Sequence, residues 1–506
     1  MLGNRSSDNH TKPLLGTGDN INNYNLGEEE RRWWRKWKEV LDVEEAKNQV
    51  LFSLPMIVAN VSYYAIPLVS VMFAGHLGDL ELAGATLANS WACVTGFDFT
   101  QGLSGALETL CGQGVGAKQY RVLGIYLQTS CIISCFFSII LSFLWFYTEP
   151  ILILLHQAPN ISEQAGLYMK YLIPGLFAFG FIQNFLRFLQ TQSIVMPLVF
   201  CSALPLAIHF GIAYSLVHWT SLGFSGAPLA CSISLWISTL LLAIYIHCSK
   251  KTNRTWEGLS FESFSVFLTN LKVALSSAAM VCNAGVTQLN SIQYHDLVSI
   301  YYFLECWSFD ILVFLAGVMP NSERSTSLIA MCVNTHLWSQ CCCKHKVSNE
   351  LGAGMIDRAK NAMAVTLKLV VLLALIIDLA LTFGHNIWAG FFADSQEIVQ
   401  EFASMTPFLV ISITFDTLQC ILLGVARGCG WQHLAVWVNL ATFYFIGMPL
   451  ALLFGFKLNL HAKGLWIGLI CGLAAQASSL FLIVLRRKFT NVDIAVSREK
   501  EVPLSI

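Results

Sequence analysis

Apolar runs of about twenty residues, separated by short polar connections, set the rhythm of this chain. They predict helices near 48–74, 81–111, 121–147, 165–190, 195–219 and 224–248, and again near 359–384, 397–425, 433–456 and 462–486. Runs of that length suit membrane-crossing helices rather than the ten-residue alternating segments of a barrel. Between 264 and 346 the pattern is disturbed; if that region supplies two more helices, the total is twelve. Composition agrees with the pattern. Of 506 residues, 55% are hydrophobic and only 12% charged, with mean hydropathy +0.59. An average soluble domain is about 25% charged. The reading is an all-α polytopic membrane protein.

Charge then orients it. Arg31, Arg32, Arg35, Lys36, Lys38, Lys118, Arg121, Lys250, Lys251, Arg254, Lys344, Lys346, Arg358, Lys360 and Arg486, Arg487, Lys488 fall on alternate connections. The opposite connections, 75–80, 148–164, 219–225 and 385–396, have no Lys or Arg. By the positive-inside rule both termini are expected in the cytoplasm. No apolar stretch precedes residue 45, so no cleavable signal peptide is expected. The basic, Trp-bearing segment 27–38 reads as a juxtamembrane anchor. Asn160-Ile-Ser162 falls on an outer connection and is a candidate glycosylation site. The net charge of −1 points to no nucleic-acid partner, and sixteen cysteines scattered through apolar runs read as small core residues.

The chain also repeats itself. Gly112–Lys118 has a counterpart in Ser348–Gly354. Pro174 precedes Gln183 by nine residues, as Pro407 precedes Asp416. Asn89 matches Asn334 in the same order. Six crossings return a chain to its starting side, so two such halves lie parallel, a transporter architecture with its site between them. The expected organisation is an N-terminal tail (1–45), a first lobe (46–250), a cytoplasmic linker (251–272), a second lobe (273–488) and a C-terminal tail (489–506).

Four motifs reach a family. Gly102-Leu-Ser-Gly-Ala-Leu-Glu-Thr-Leu-Cys-Gly-Gln113, the Leu-Glu-Cys-Trp-Ser-Phe-Asp run at 304–310, Val347–Gly354 and Gly424–Gln432 together resemble the multidrug and toxic compound extrusion (MATE) transporters, closest to the plant, DETOXIFICATION-like branch. The resemblance implies about twelve transmembrane helices in two parallel six-helix lobes. It also implies monomeric secondary-active efflux of cationic, phenolic or xenobiotic organic compounds in exchange for protons, at the plasma or vacuolar membrane. It marks Glu305 and Asp416 as proton sites, with Gln183 in the first-lobe position related to Asp416 by the repeat.

Independently of any family, a charge at the bilayer centre costs roughly 2.5–3.5 kcal/mol, so intramembrane acids are functional candidates. Burial disfavours the charged carboxylate and brings its pKa towards the working pH, where proton and cation compete. Glu305, Asp310 and Asp416 meet this criterion in the second lobe, with Asn334 and Thr335 as polar neighbours. Asp98 and Asp378 are further acids inside apolar runs, at positions where the family pattern has small or uncharged residues. Asp98 is a candidate cavity residue; Asp378 reads as an acid facing a neighbouring helix. No Walker-type loop, metal-ligand spacing or nucleophile–base constellation occurs. Neither an enzyme, a metal nor a cofactor is expected, and the proton gradient is the energy source.

Two stretches break the repeat. Pro55 to Asn89 spans 34 residues, whereas Ser276 to Asn334 spans 58. The excess maps to 283–303, which disturbs helix 7. Asn89 to Gly116 spans 27 residues against 18 from Asn334 to Gly352, and the deficit maps to 336–346 in helix 8. Helix 7 is expected to re-form over 297–319, with Leu271–Cys282 displaced. Only Ser325–Leu337 is apolar in helix 8, which predicts a short or broken helix. Both edges have the character of alternative splice junctions. The competing function is therefore an inactive or splice-variant scaffold that pairs with an intact transporter.

Overall fold

The computed structural model describes residues 43–116, 118–256, seven positions between 258 and 271, 307–348, 356–428 and 432–486. These form α1 (Val43–Gly75), α2 (Asp79–Ala92 and Asp98–Gly116, joined by the π-turn Cys93–Phe97), α3 (Tyr120–Phe146), α4 (Pro159–Thr191), α5 (Met196–Tyr214) and α6 (Gly226–Cys248). Then come α7 (Trp307–Gly317) and α8 (Ser322–Ser348), followed by α9 (Ile356–Gly390) and α10 (Gln396–Gly428). Next is α11 (Gln432–Leu440, continued through two π-turns to Lys457), and α12 (His461–Arg486) closes the series. Nine of the described helices are long and apolar enough to cross a membrane.

Each half is built around its fourth helix. In the first, α4 packs on α2, α3 and α6; in the second, α10 packs on α8, α9 and α12. The pairing recurs helix for helix, as the sequence repeat requires. The halves meet where α8 lies against α1 and α2.

Without water in the hydrocarbon layer, every polar group must find a partner within the protein. The α4–α6 seam shows how. Pro174 interrupts the α4 ladder, and α6 reaches across: Ser232 Oγ donates to Tyr171 O (3.0 Å), Trp236 Nε1 to Pro174 O (3.0 Å) and Thr239 Oγ1 to Ala178 O (3.1 Å). Those donors follow helical spacing, so one face of α6 serves one face of α4. In the second half, α11 and α12 cross on small residues; a Cβ on Gly468 would collide with the Ala451 backbone.

The start of the linker folds back onto α3. Gln128 Oε1 accepts from Ser260 N (2.9 Å) and Ser263 Oγ (2.8 Å), and Thr129 Oγ1 donates to Ser263 O (3.1 Å).

One expectation is overturned. Helix 8 is neither short nor broken: α8 runs 27 residues and carries the Cys341-Cys-Cys-Lys-His345 tail as helix. Backbone hydrogen bonding tolerates these residues, and no Pro or Gly interrupts them, so polarity alone does not end the helix. Of the span 297–319 expected for helix 7, 307–317 is helical as α7, closed by bonds from Val318 N to Leu315 O (3.3 Å) and Met319 N to Ala316 O (3.1 Å), and 297–306 lies outside the described residues. The 283–303 insertion, Glu305 and residues 272–282 lie outside the described residues.

Candidate functional site

A cavity opens between the two halves, about 1130 Å³ of empty space that includes its solvent-filled mouth. Both halves line it. From α1 come Asn60, Tyr63 and Tyr64, from α2 Asn89, Phe97, Asp98 and Gln101, and from α4 Phe179 and Gln183. The second half adds Asp310 of α7 and Asn334 of α8. The lining thus joins two acids, several amides and a set of aromatic rings, with no Lys, Arg or His among the described lining residues.

The aim of Asp98 is set by its helix. The π-turn Cys93–Phe97 immediately precedes it. One extra residue in a turn rotates the residues beyond it by about 100° around the helix axis, and such turns recur at functional sites. Asp98 Oδ2 is buried and has no hydrogen-bond partner. Opposite stands Asp310, only 3% exposed, with Ser90 and Asp98 facing its carboxylate. Tyr64 Oη donates to Asn334 Oδ1 (3.1 Å), tying α1 to α8 at the cavity wall.

The other predicted residues separate from this group. Thr335 turns away: its Oγ1 accepts from Trp388 Nε1 (2.7 Å) and donates to Met331 O (2.7 Å), a tie between α8 and α9. Asp378 lies between α9 and α10, where its Oδ2 accepts from Thr414 Oγ1 (3.2 Å). Asn160, expected on a connection, is instead exposed in the first turn of α4, because Pro159 starts the helix.

Asp416 occupies a second polar cluster inside the second half. It is 3% exposed; Gln419 Nε2 donates to its Oδ1 (3.3 Å), and His336 Nε2 lies 3.6 Å from its Oδ2. The His336 ring is fully buried, packed against Phe309 at 4.6 Å, with Nδ1 3.3 Å from Ser412 Oγ. Sequence reasoning treated His336 only as the edge of an atypical segment. It also passed over Tyr64, Asn60 and Gln101, although polar residues inside apolar runs are the same signal that marked the acids.

At the Lys/Arg-poor end the halves touch. His76 Nδ1 lies 3.1 Å from Asp394 Oδ2, Gln157 Nε2 donates to Phe314 O (3.0 Å), and Gly75 packs directly on the Phe392 carbonyl. Arg324 and Glu397 pair nearby.

The MatE family model matches residues 55–215 and 340–453, leaving between them the stretch that holds the insertion. Protein DETOXIFICATION 18 of Arabidopsis thaliana is 56% identical over 465 residues, covering 90% of this chain and 95% of the relative. Protein DETOXIFICATION 16 of the same plant is 40% identical, covering 89% of each. Among solved structures, the eukaryotic MATE transporter AtDTX14 superposes with a TM-score of 0.72 at 33% identity, covering 90% of this chain and 99% of that one. An inward-facing multidrug resistance MATE transporter of the MOP superfamily gives 0.64 at 16% identity, covering 88% and 96%.

Proposed function

The chain belongs to the multidrug and toxic compound extrusion family of membrane transporters, and from that premise we propose that it exports small organic compounds in exchange for protons. The observation that carries this reading is the cavity shared by both halves, with Asp98 and Asp310 on its wall. A carboxylate in such a place binds either a proton or a cation, and competition between the two is what couples their movements. Amides and rings around the acids suit amphipathic organic cations, including phenolic ones, since aromatic faces attract positive charge.

Asp416, enclosed with His336 and Gln419, is the proton site of the second half in this proposal. Glu305, in the same half, is its partner in coupling. Both termini face the cytoplasm, and the cavity alternates between the cytoplasm and the far side of the plasma or vacuolar membrane. The protein acts as a monomer, with lipid as its only obligatory surroundings.

Uptake of a fluorescent organic cation into inverted vesicles tests the proposal. An imposed proton gradient should drive uptake, and Glu305→Gln should insert normally but lose the pH dependence. Uptake indifferent to the gradient would sink proton exchange. A second reading, a non-transporting partner of an intact relative, draws on the departures from the repeat at 283–303 and 336–346. It predicts co-purification with that relative and no uptake by this chain alone.

A further inference from the structure

We propose that Asp98 and Asp310 form one two-carboxylate seat across the halves, which selects organic compounds carrying two cationic centres over equally sized compounds carrying one. The inference rests on the export reading for its physiological meaning, but the seat itself is a statement about binding.

Four observations support it. First, the acids come from different halves, α2 and α7, and face one cavity. Second, Asp98 Oδ2 is buried with its hydrogen-bonding capacity unused, which a ligand donor would satisfy. Third, no basic side chain among the described lining residues neutralises either acid. Among the described lining residues the other ionisable groups are the Tyr63 and Tyr64 phenols and the Cys93 thiol, none of which carries positive charge. Two ionised carboxylates at close quarters repel, so the site is neutralised by two protons, by one proton and one cationic group, or by a ligand bringing both charges. Fourth, Phe97 and Phe179 line the same space. Their rings offer an apolar face to a spacer between two amines.

Asp98 is the determinant because its Oδ2 is the acid oxygen on this wall left without a partner among the described residues. The π-turn before it points the carboxylate inward.

The test uses the full chain, purified into lipid nanodiscs, and a matched pair of probes: p-xylylenediamine, a dication at neutral pH, and 4-ethylbenzylamine, its monocationic counterpart. Binding is measured by calorimetry. The wild-type protein should bind the diamine at least tenfold more tightly than the monoamine. Asp98→Asn should bring the two within about threefold, chiefly by weakening the diamine, and Asp98→Glu should keep the preference. Asp98→Ser serves as the second neutral variant should the amide fail to fold. Equal binding of both probes by the wild type, binding of neither, or a preference that survives loss of the acid would each overturn the proposal. Failure of the export reading looks different: the binding preference and its dependence on Asp98 would stand, while vesicles would accumulate neither amine under a proton gradient.

Discussion

At the scale of single residues, the two acidic clusters differ in their surroundings. The cavity pair lines the space between the halves, whereas Asp416 sits inside the second half, held by Gln419 and faced by His336. Asp416→Asn keeps volume and hydrogen-bonding capacity while losing the titrating proton. We expect normal insertion with uptake no longer stimulated by a proton gradient. Gradient-driven uptake at the wild-type level would remove Asp416 from the coupling mechanism. Tyr64→Phe removes the hydroxyl that donates to Asn334 Oδ1 (3.1 Å) and, more weakly, to Asn334 O (3.5 Å). With a net worth of about 1 kcal/mol, its loss should weaken substrate binding or uptake by roughly fivefold without changing expression, as a concentration series would show. Acids stood out in the sequence because a charge inside an apolar run is costly and calls for a partner or a use. Tyr64 and His336 did not, because a tyrosine or a histidine fits a helix interface equally well, and only the partner reveals its use.

At the scale of elements, the helices were largely legible because apolar length is nearly a sufficient criterion within a bilayer. Predicted 397–425 became Gln396–Gly428, and 462–486 became His461–Arg486. What periodicity could not register were the π-turns in α2 and α11, where one residue's displacement leaves hydropathy unchanged. Nor could it foresee that α8 would continue through a polar tail, since hydropathy measures solvent preference and says little about backbone hydrogen bonding. Packing at this scale yields a paired prediction. Gly468→Ala places a methyl group into the Ala451 backbone at the α11–α12 crossing, whereas a Cβ on Gly384 meets nothing within 4 Å. Overpacking typically costs about 1–3 kcal/mol, so Gly468→Ala should lower the thermal midpoint of the solubilised protein. Gly384→Ala should leave it unchanged or raise it, since alanine favours helix by up to about 1 kcal/mol. Equal midpoints for the two variants would contradict the close crossing.

At the scale of the whole molecule, the halves are joined at the Lys/Arg-poor end through His76 and Asp394, Gln157 and Phe314, and Gly75 and Phe392. The repeat made two halves readable in the sequence, but their mutual contacts involve residues more than a hundred and fifty positions apart, and nothing local advertises them. Removing the exposed His76–Asp394 pair with His76→Ala should have a modest effect, below about 1 kcal/mol for a surface ion pair. Cysteine accessibility on the cavity wall should rise slightly from that end. No change in accessibility would mean that the remaining contacts, Gln157 to Phe314 and Gly75 on Phe392, suffice to hold this end shut.

That backbone contact has a mechanical consequence. Where the missing side chain of Gly75 would stand, the Phe392 carbonyl sits. A single added methyl group therefore acts as a wedge between the two halves at this contact. Each 1.4 kcal/mol of strain shifts the ratio of shut to open forms about tenfold. In the export mechanism proposed above, Gly75→Ala is expected to favour the form open at the Lys/Arg-poor end, read as greater cysteine accessibility of the cavity wall from that side; unchanged accessibility would show that the contact yields without opening.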